Sequence, residues 1–175
     1  MARENITEYQ NAVEYYAANK INTVFYNKGD LYATVVFDTI FRYAKKKILI
    51  AAGNLNNDVT NSEKYLESMR KFLNQDNVEL FIFVSEIKKE GNKLFELLRD
   101  YKDKVNLKCS DGRMFTNNNH DIIHFCVADE YMYRIENDTK ERRASCNLND
   151  IAMCKKLSDS FMLAYNQCTN TFSIE

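Results

Sequence analysis

Two nearly unbroken apolar runs limit this chain more than any other feature. Residues 48–52 read Ile-Leu-Ile-Ala-Ala, and residues 78–84 read Val-Glu-Leu-Phe-Ile-Phe-Val. Both have the length of a strand, and neither alternates apolar with polar as a half-exposed strand would. Such runs fit strands covered on both faces, as in a parallel sheet packed between helices. A third run, 105–109, follows. Helical spacing fills the gaps, so the order strand, helix, strand, helix, strand predicts right-handed crossovers. The fold class expected is α/β, with a mixed, mostly parallel sheet flanked by helices.

The helices follow from periodicity. Ile6, Tyr9, Val13 and Tyr16 place a first amphipathic helix over about residues 7–19. Residues 21–26 read as a short strand or a connector. The turn Asn27-Lys28-Gly29-Asp30 opens a second helix with Asp30 as N-cap. Its expected inner side carries Leu31, Phe37, Ile40, Phe41 and Ala44. It ends in Lys45-Lys46-Lys47, positive charge that complements a helix C-terminus. Residues 62–74 form a third helix capped by Ser62, and residues 91–101 a fourth. A last helix begins at Ile151 with Asn149 as cap and with Ile151, Cys154, Leu157, Phe161 and Tyr165 inward. The remaining segment, 167–175, is expected to fray. No repeat, linker or domain boundary interrupts the chain, so it reads as one domain, with residues 1–29 as an N-terminal helix and connector.

Composition excludes several functions. Lys and Arg number 24 against 25 Asp and Glu, so net charge gives no argument for nucleic acid or a membrane surface. No apolar run approaches the ~20 residues of a membrane span. Five cysteines without a CxxC pair suit a reducing compartment, and a cytoplasmic location is expected. With two histidines, zinc ligation is not expected, nor is any other metal or cofactor. The wealth of Asn, Lys, Tyr and Ile reads as an AT-rich coding bias, microbial or viral.

Nucleotide and hydrolase motifs are missing. There is no GxxxxGK[ST], no GxGxxG after residues 48–52, and no GxSxG. The polar loop 53–58, Gly-Asn-Leu-Asn-Asn-Asp, sits where ligands bind in open α/β sheets, although a plain Asn-rich turn explains it as well.

Residues 121–149 carry the most chemistry. An apolar strand, 122–128, turns at Asp129 and Glu130 into a second strand, 131–136. Residues 142–146 add another. Alternation puts Ile122, His124 and Cys126 on one face, and Met132, Arg134 and Glu136 share a face of the next strand. Arg134 and Glu136 thus point together. The plain reading is an ion pair between them, or from Arg134 to Asp129. The functional reading is that Arg134 binds an anion that Glu136 orients.

These residues resemble one repeat of the phospholipase D-like superfamily. Its mark is His-x-Lys, four residues, then Asp, followed by a second strand and a Gly-Ser-x-Asn-like run. Val127-Ala128-Asp129-Glu130 looks like the family's apolar-apolar-Asp-Gly, and Ala144-Ser145-Cys146-Asn147 like its Gly-Ser-x-Asn. The order of helices and strands from about Asp30 onward matches the half-domain. With Asp129 on the family's Asp, the nucleophile position holds Ile122 and the Lys position holds His124. An isoleucine forms no phospho-histidine and moves no proton. No shift of register restores the pattern.

The resemblance therefore implies a binding or scaffolding module, leaning away from an enzyme, with the family's two-fold pairing expected as a homodimer or with another protein. By analogy it would serve as a sensor or accessory subunit in a microbial or phage-related defence system. Candidate anion- or ligand-binding residues are His124, Asp129, Arg134, Glu136 and Asn147, and no catalytic residue is assigned. Two alternatives stand beside it. One is a phosphodiesterase or nuclease with a rearranged site built from His124, Asp129, Arg134 and Glu136. The other is a small-ligand or nucleotide-binding α/β domain using loop 53–58.

Overall fold

Seven strands form one sheet in the order β1-β7-β6-β5-β2-β3-β4. The computed structural model describes residues 2–110, 112 and 115–174. Its elements are α1 (Ala2–Ala18), β1 (Phe25–Asn27), α2 (Asp30–Tyr43), β2 (Lys47–Ala52), α3 (Glu63–Leu73), β3 (Glu79–Val84), α4 (Lys93–Leu98), a 3-10 turn (Arg99–Lys104), β4 (Val105–Cys109), β5 (His124–Ala128), β6 (Met132–Asp138), β7 (Arg143–Asn147) and α5 (Ile151–Gln167).

The apolar runs have the cause the sequence suggests. Ile48 and Ile50 face a core shared with helices α1 to α4, and Leu49 and Ala51 face a second core under α5. A strand pressed between two cores has no polar face to show. The sheet is mixed, as expected, but it is not mostly parallel. Only β2–β3 and β3–β4 run parallel; β5 joins β2 antiparallel, and β6, β7 and β1 follow antiparallel. The parallel half ends where helical crossovers end. β5–β6 and β6–β7 are joined by short turns, which connect antiparallel neighbours, whereas β5 is separated from β4 by a longer connection and β1 pairs with β7 from the start of the chain.

Helix ends differ by one residue from the sequence reading. Gly29, at φ 81, precedes α2 and Asp30 lies in its first turn, while Asp150 rather than Asn149 caps α5 by accepting from the Met153 amide at 3.0 Å. Ser62 caps α3 as predicted, accepting from the Tyr65 amide. Leu31 and Ile151, each in the first turn of its helix, are exposed rather than inward. The segment after α5 does not fray. The Cys109 amide donates to the Asn170 carbonyl at 3.2 Å, and the Phe172 amide to the Leu107 carbonyl at 3.1 Å, so this segment lines the outer edge of β4.

Candidate functional site

β5 is the central strand, and its two ends present different chemistry. At its start His124 lies opposite Glu136 of β6, and Cys126 lies opposite Arg134. Same-face alternation on paired strands therefore gathers His124, Arg134 and Glu136 on the α2 side of the sheet. The Arg134 Nη2 donates to Glu136 Oε2 at 2.6 Å, and its Nε donates to Asn27 Oδ1 at 3.1 Å. Both charged side chains are buried, at 3% and 4% exposure. The guanidinium stacks on the Phe37 ring of α2, 4.9 Å from its centroid, a cation–π contact in a dry setting.

His124 is the more open member, at 26% exposure, with Nδ1 3.4 Å from Glu136 Oε1. Gly53, just after β2, lies beside the imidazole, where a Cβ would be in ordinary van der Waals contact with its Nε2 at 3.6 Å. Arg142, in the β6–β7 loop, completes the cluster. It pairs with Asp30 at the start of α2 and lies 3.9 Å from Glu136. The Asn27 side-chain amide donates to the Arg142 carbonyl at 3.0 Å and so ties this loop to β1.

Burial alone would raise the Glu136 carboxyl. The hydrogen bond from His124 and the charge and hydrogen bond of Arg134 outweigh that and hold it below its usual value. The group is therefore an anion matched by Arg134, with Arg142 near. A cavity of about 40 Å³ opens beside it, lined among others by Phe37, Leu55, Thr60, His124, Arg134 and Arg142. That volume holds a few waters or one small group.

Asp129 lies past the other end of β5, ~17 Å along the strand from His124, and Asn147 ends β7, opposite Tyr133 of β6. Asp129, at φ 50, turns the chain, and its carboxylate accepts the backbone N–H groups of Lys45, Lys46 and Lys47 at 2.5, 2.8 and 2.9 Å. It fastens the β5–β6 turn to the entry of β2. Asn147 is buried, donates to Asn22 Oδ1 and accepts from the Asn149 amide. The structure thus brings together His124, Arg134 and Glu136 and leaves Asp129 and Asn147 elsewhere. It adds Asn27, Asp30, Gly53 and Arg142, which sequence reading did not place there. The turn signal at residues 27–30 marked a bend and carried no hint of what the bend approaches.

Loop 53–58 is tied to the chain that follows it and to the loop before α4. Asn57 Oδ1 accepts from the Val59 and Thr60 amides, Asn56 donates to the Glu90 carbonyl, and Asn92 donates to the Asn54 carbonyl. Asparagines of two neighbouring loops thus serve each other. Among the described residues, no group of His, Cys, Asp and Glu is arranged to hold a metal ion, and no helix is long and apolar enough to cross a membrane.

No protein-family model matches the sequence and no curated protein matches it. Solved structures do resemble it in fold. The phospholipase D family member Nuc from Salmonella typhimurium superposes with a TM-score of 0.59 at 14% identity, covering 87% of this chain and 99% of Nuc. TrmBL2, an archaeal chromatin protein with a novel mode of DNA binding, gives 0.57 at 14% identity over 97% of this chain and 64% of its own. Phosphatidylserine synthase from Haemophilus influenzae Rd KW20 gives 0.54 at 10% identity over 86% and 39%. The fold is phospholipase D-like.

Proposed function

We propose that this chain is a non-catalytic phospholipase D-like binding module that acts as a homodimer or as an accessory or sensor subunit beside another protein. One observation carries the reading. With Asp129 taken as the superfamily's Asp, the nucleophile position falls on Ile122, a half-exposed hydrocarbon at 50% exposure that can neither attack phosphorus nor carry a proton. The place of its Lys holds His124, and the nearest strong cation, Arg134, is already committed to Glu136 and Asn27. A small anionic group held near His124, Arg134 and Arg142 is the ligand this chemistry favours.

The test is hydrolysis of a generic phosphodiester by the unaltered chain and by His124→Ala. The proposal expects equal rates, at the level of buffer. A rate that depends on His124 would instead favour a second reading, a phosphodiesterase with a rearranged site. The carboxylate of Glu136 beside the imidazole gives that reading its footing, since such a partner orients a general acid or base. A nucleotide-binding module has less support. The loop asparagines are engaged with one another, and about 40 Å³ falls far short of the several hundred that a drug-sized ligand fills. For the dimer, sedimentation at micromolar concentration should return twice the chain mass, or one chain mass where the partner is another protein that co-purifies.

A further inference from the structure

The cavity beside Arg134 is lined by two kinds of chemistry. Phe37 of α2, Ile50 of β2, and Leu55 and Val59 of the loop that follows give it a hydrocarbon wall. Ile50, Leu55 and Val59 are buried. Thr60 adds no free donor there, because its hydroxyl donates to the Leu55 carbonyl at 2.8 Å. Leu55 takes its place at φ 55, a left-handed backbone that a leucine rarely adopts and that costs the loop energy to hold. The polar part of the lining includes Arg134, Glu136, Arg142 and His124, of which Arg142 and His124 reach solvent.

Two cations in that lining can still serve a ligand. Arg134 Nε and Nη2 are taken by Asn27 and Glu136, but its Nη1 has no hydrogen-bond partner among the described residues. Glu136 is already matched by Arg134. Arg142 pairs with Asp30, whose side chain is half-exposed in the first turn of α2. That carboxylate can turn to water and stay near the helix N-terminus, which favours it there as well. A ligand carboxylate can therefore take its place on Arg142 with no change of charge inside the cluster, whereas a phosphate dianion would add a negative charge. A volume of about 40 Å³ takes roughly three waters, the bulk of a tail of about two or three carbons.

We propose that this cavity binds a short aliphatic monocarboxylate. Its carboxylate bridges Arg134 Nη1 and Arg142, displacing Asp30, and its tail lies against Phe37, Leu55 and Val59. This ligand class deepens the small-anion reading proposed for the same site and rests on it. Charge alone would accept phosphate as readily, and the hydrocarbon wall is what selects a tail.

Calorimetry on the unaltered full chain tests this with butyrate, against inorganic phosphate as an anion without a tail and 1-butanol as a tail without a charge. Saturable butyrate binding is expected, about ten-fold or more tighter than either comparison. Amide resonances of residues 53–60 should shift as butyrate is added. Arg142→Gln should weaken butyrate about ten-fold while the cooperative melt is retained. Phosphate binding as tight as butyrate or tighter overturns the carboxylate assignment and leaves the small-anion reading standing. Binding of neither anion overturns both. Equal affinity for 1-butanol, or butyrate binding that a folded Arg142→Gln leaves unchanged, also overturns the assignment. Should Arg142→Gln fail to fold, the ligand series on the unaltered chain decides by itself.

Discussion

His124 and Glu136 face each other across the β5–β6 ladder, the imidazole Nδ1 3.4 Å from Glu136 Oε1 while the buried Arg134 donates to Oε2 of the same carboxylate. The carboxylate is thus the hub of the cluster, and the histidine is its most open member.

Replacing that hub should destabilise the fold. Glu136→Gln leaves Arg134 buried without its counter-charge, a loss of about 3–5 kcal/mol for a broken buried pair. The acid limb should change too. The folded carboxyl lies below its usual 4.5, so its contribution is complete above that pH and fades as pH falls below it, through the folded value. Urea unfolding from pH 7 to pH 3 should show this decline in the unaltered chain and a shallower one in Glu136→Gln.

Asp129 should behave as a fastener and have no part in ligand binding. Asp129→Ala removes the charged acceptor of three largely exposed backbone N–H groups at residues 45–47 and should cost about 1–2 kcal/mol. Asp129→Asn, which still accepts and tolerates φ 50, should cost less. Neither change should alter anion affinity near His124, read by calorimetry.

Legibility in the sequence followed local rules. α3 with its Ser62 cap, the cores under β2 and β3, and the pairing of Arg134 with Glu136 all come from periods of 3.6 or 2. What was not legible depends on distant partners. Asp129 looks like a site acid in sequence, and only the approach of residues 45–47 reveals a backbone acceptor. Arg142 gains its role from the β6–β7 loop folding back on Asp30, at a left-handed φ of 48 that no local signal announces. The sheet order, and with it the antiparallel half, rests on β5 choosing β2 as neighbour, a pairing set by the whole core.

Tyr65 offers a cleaner test of packing. Its ring is fully buried against Phe37 and Phe41, yet its hydroxyl has no hydrogen-bond partner among the described residues, and burial raises that hydroxyl far above the usual phenol value. Tyr65→Phe removes an unmet polar group without a change of shape. It should be neutral or stabilising by up to ~1 kcal/mol, visible as an equal or higher Tm.

Thiol chemistry should divide the cysteines. Burial pushes the Cys146 and Cys154 thiols up to about 12 and raises Cys126 further, so none of the three is a thiolate at neutral pH. Cys109 and Cys168 are partly exposed. A native-state titration with a disulfide reagent should modify these two first, and the other three only as the chain unfolds.

The absence of a nucleophile is the central claim, and a search for the covalent intermediate tests it most directly. The chain is mixed with a labelled phosphodiester, quenched under conditions that preserve phospho-histidine, and its intact mass and histidine peptides are read. The account predicts unmodified protein at both His120 and His124. A phosphoryl adduct on His124, lost in His124→Ala, would contradict it.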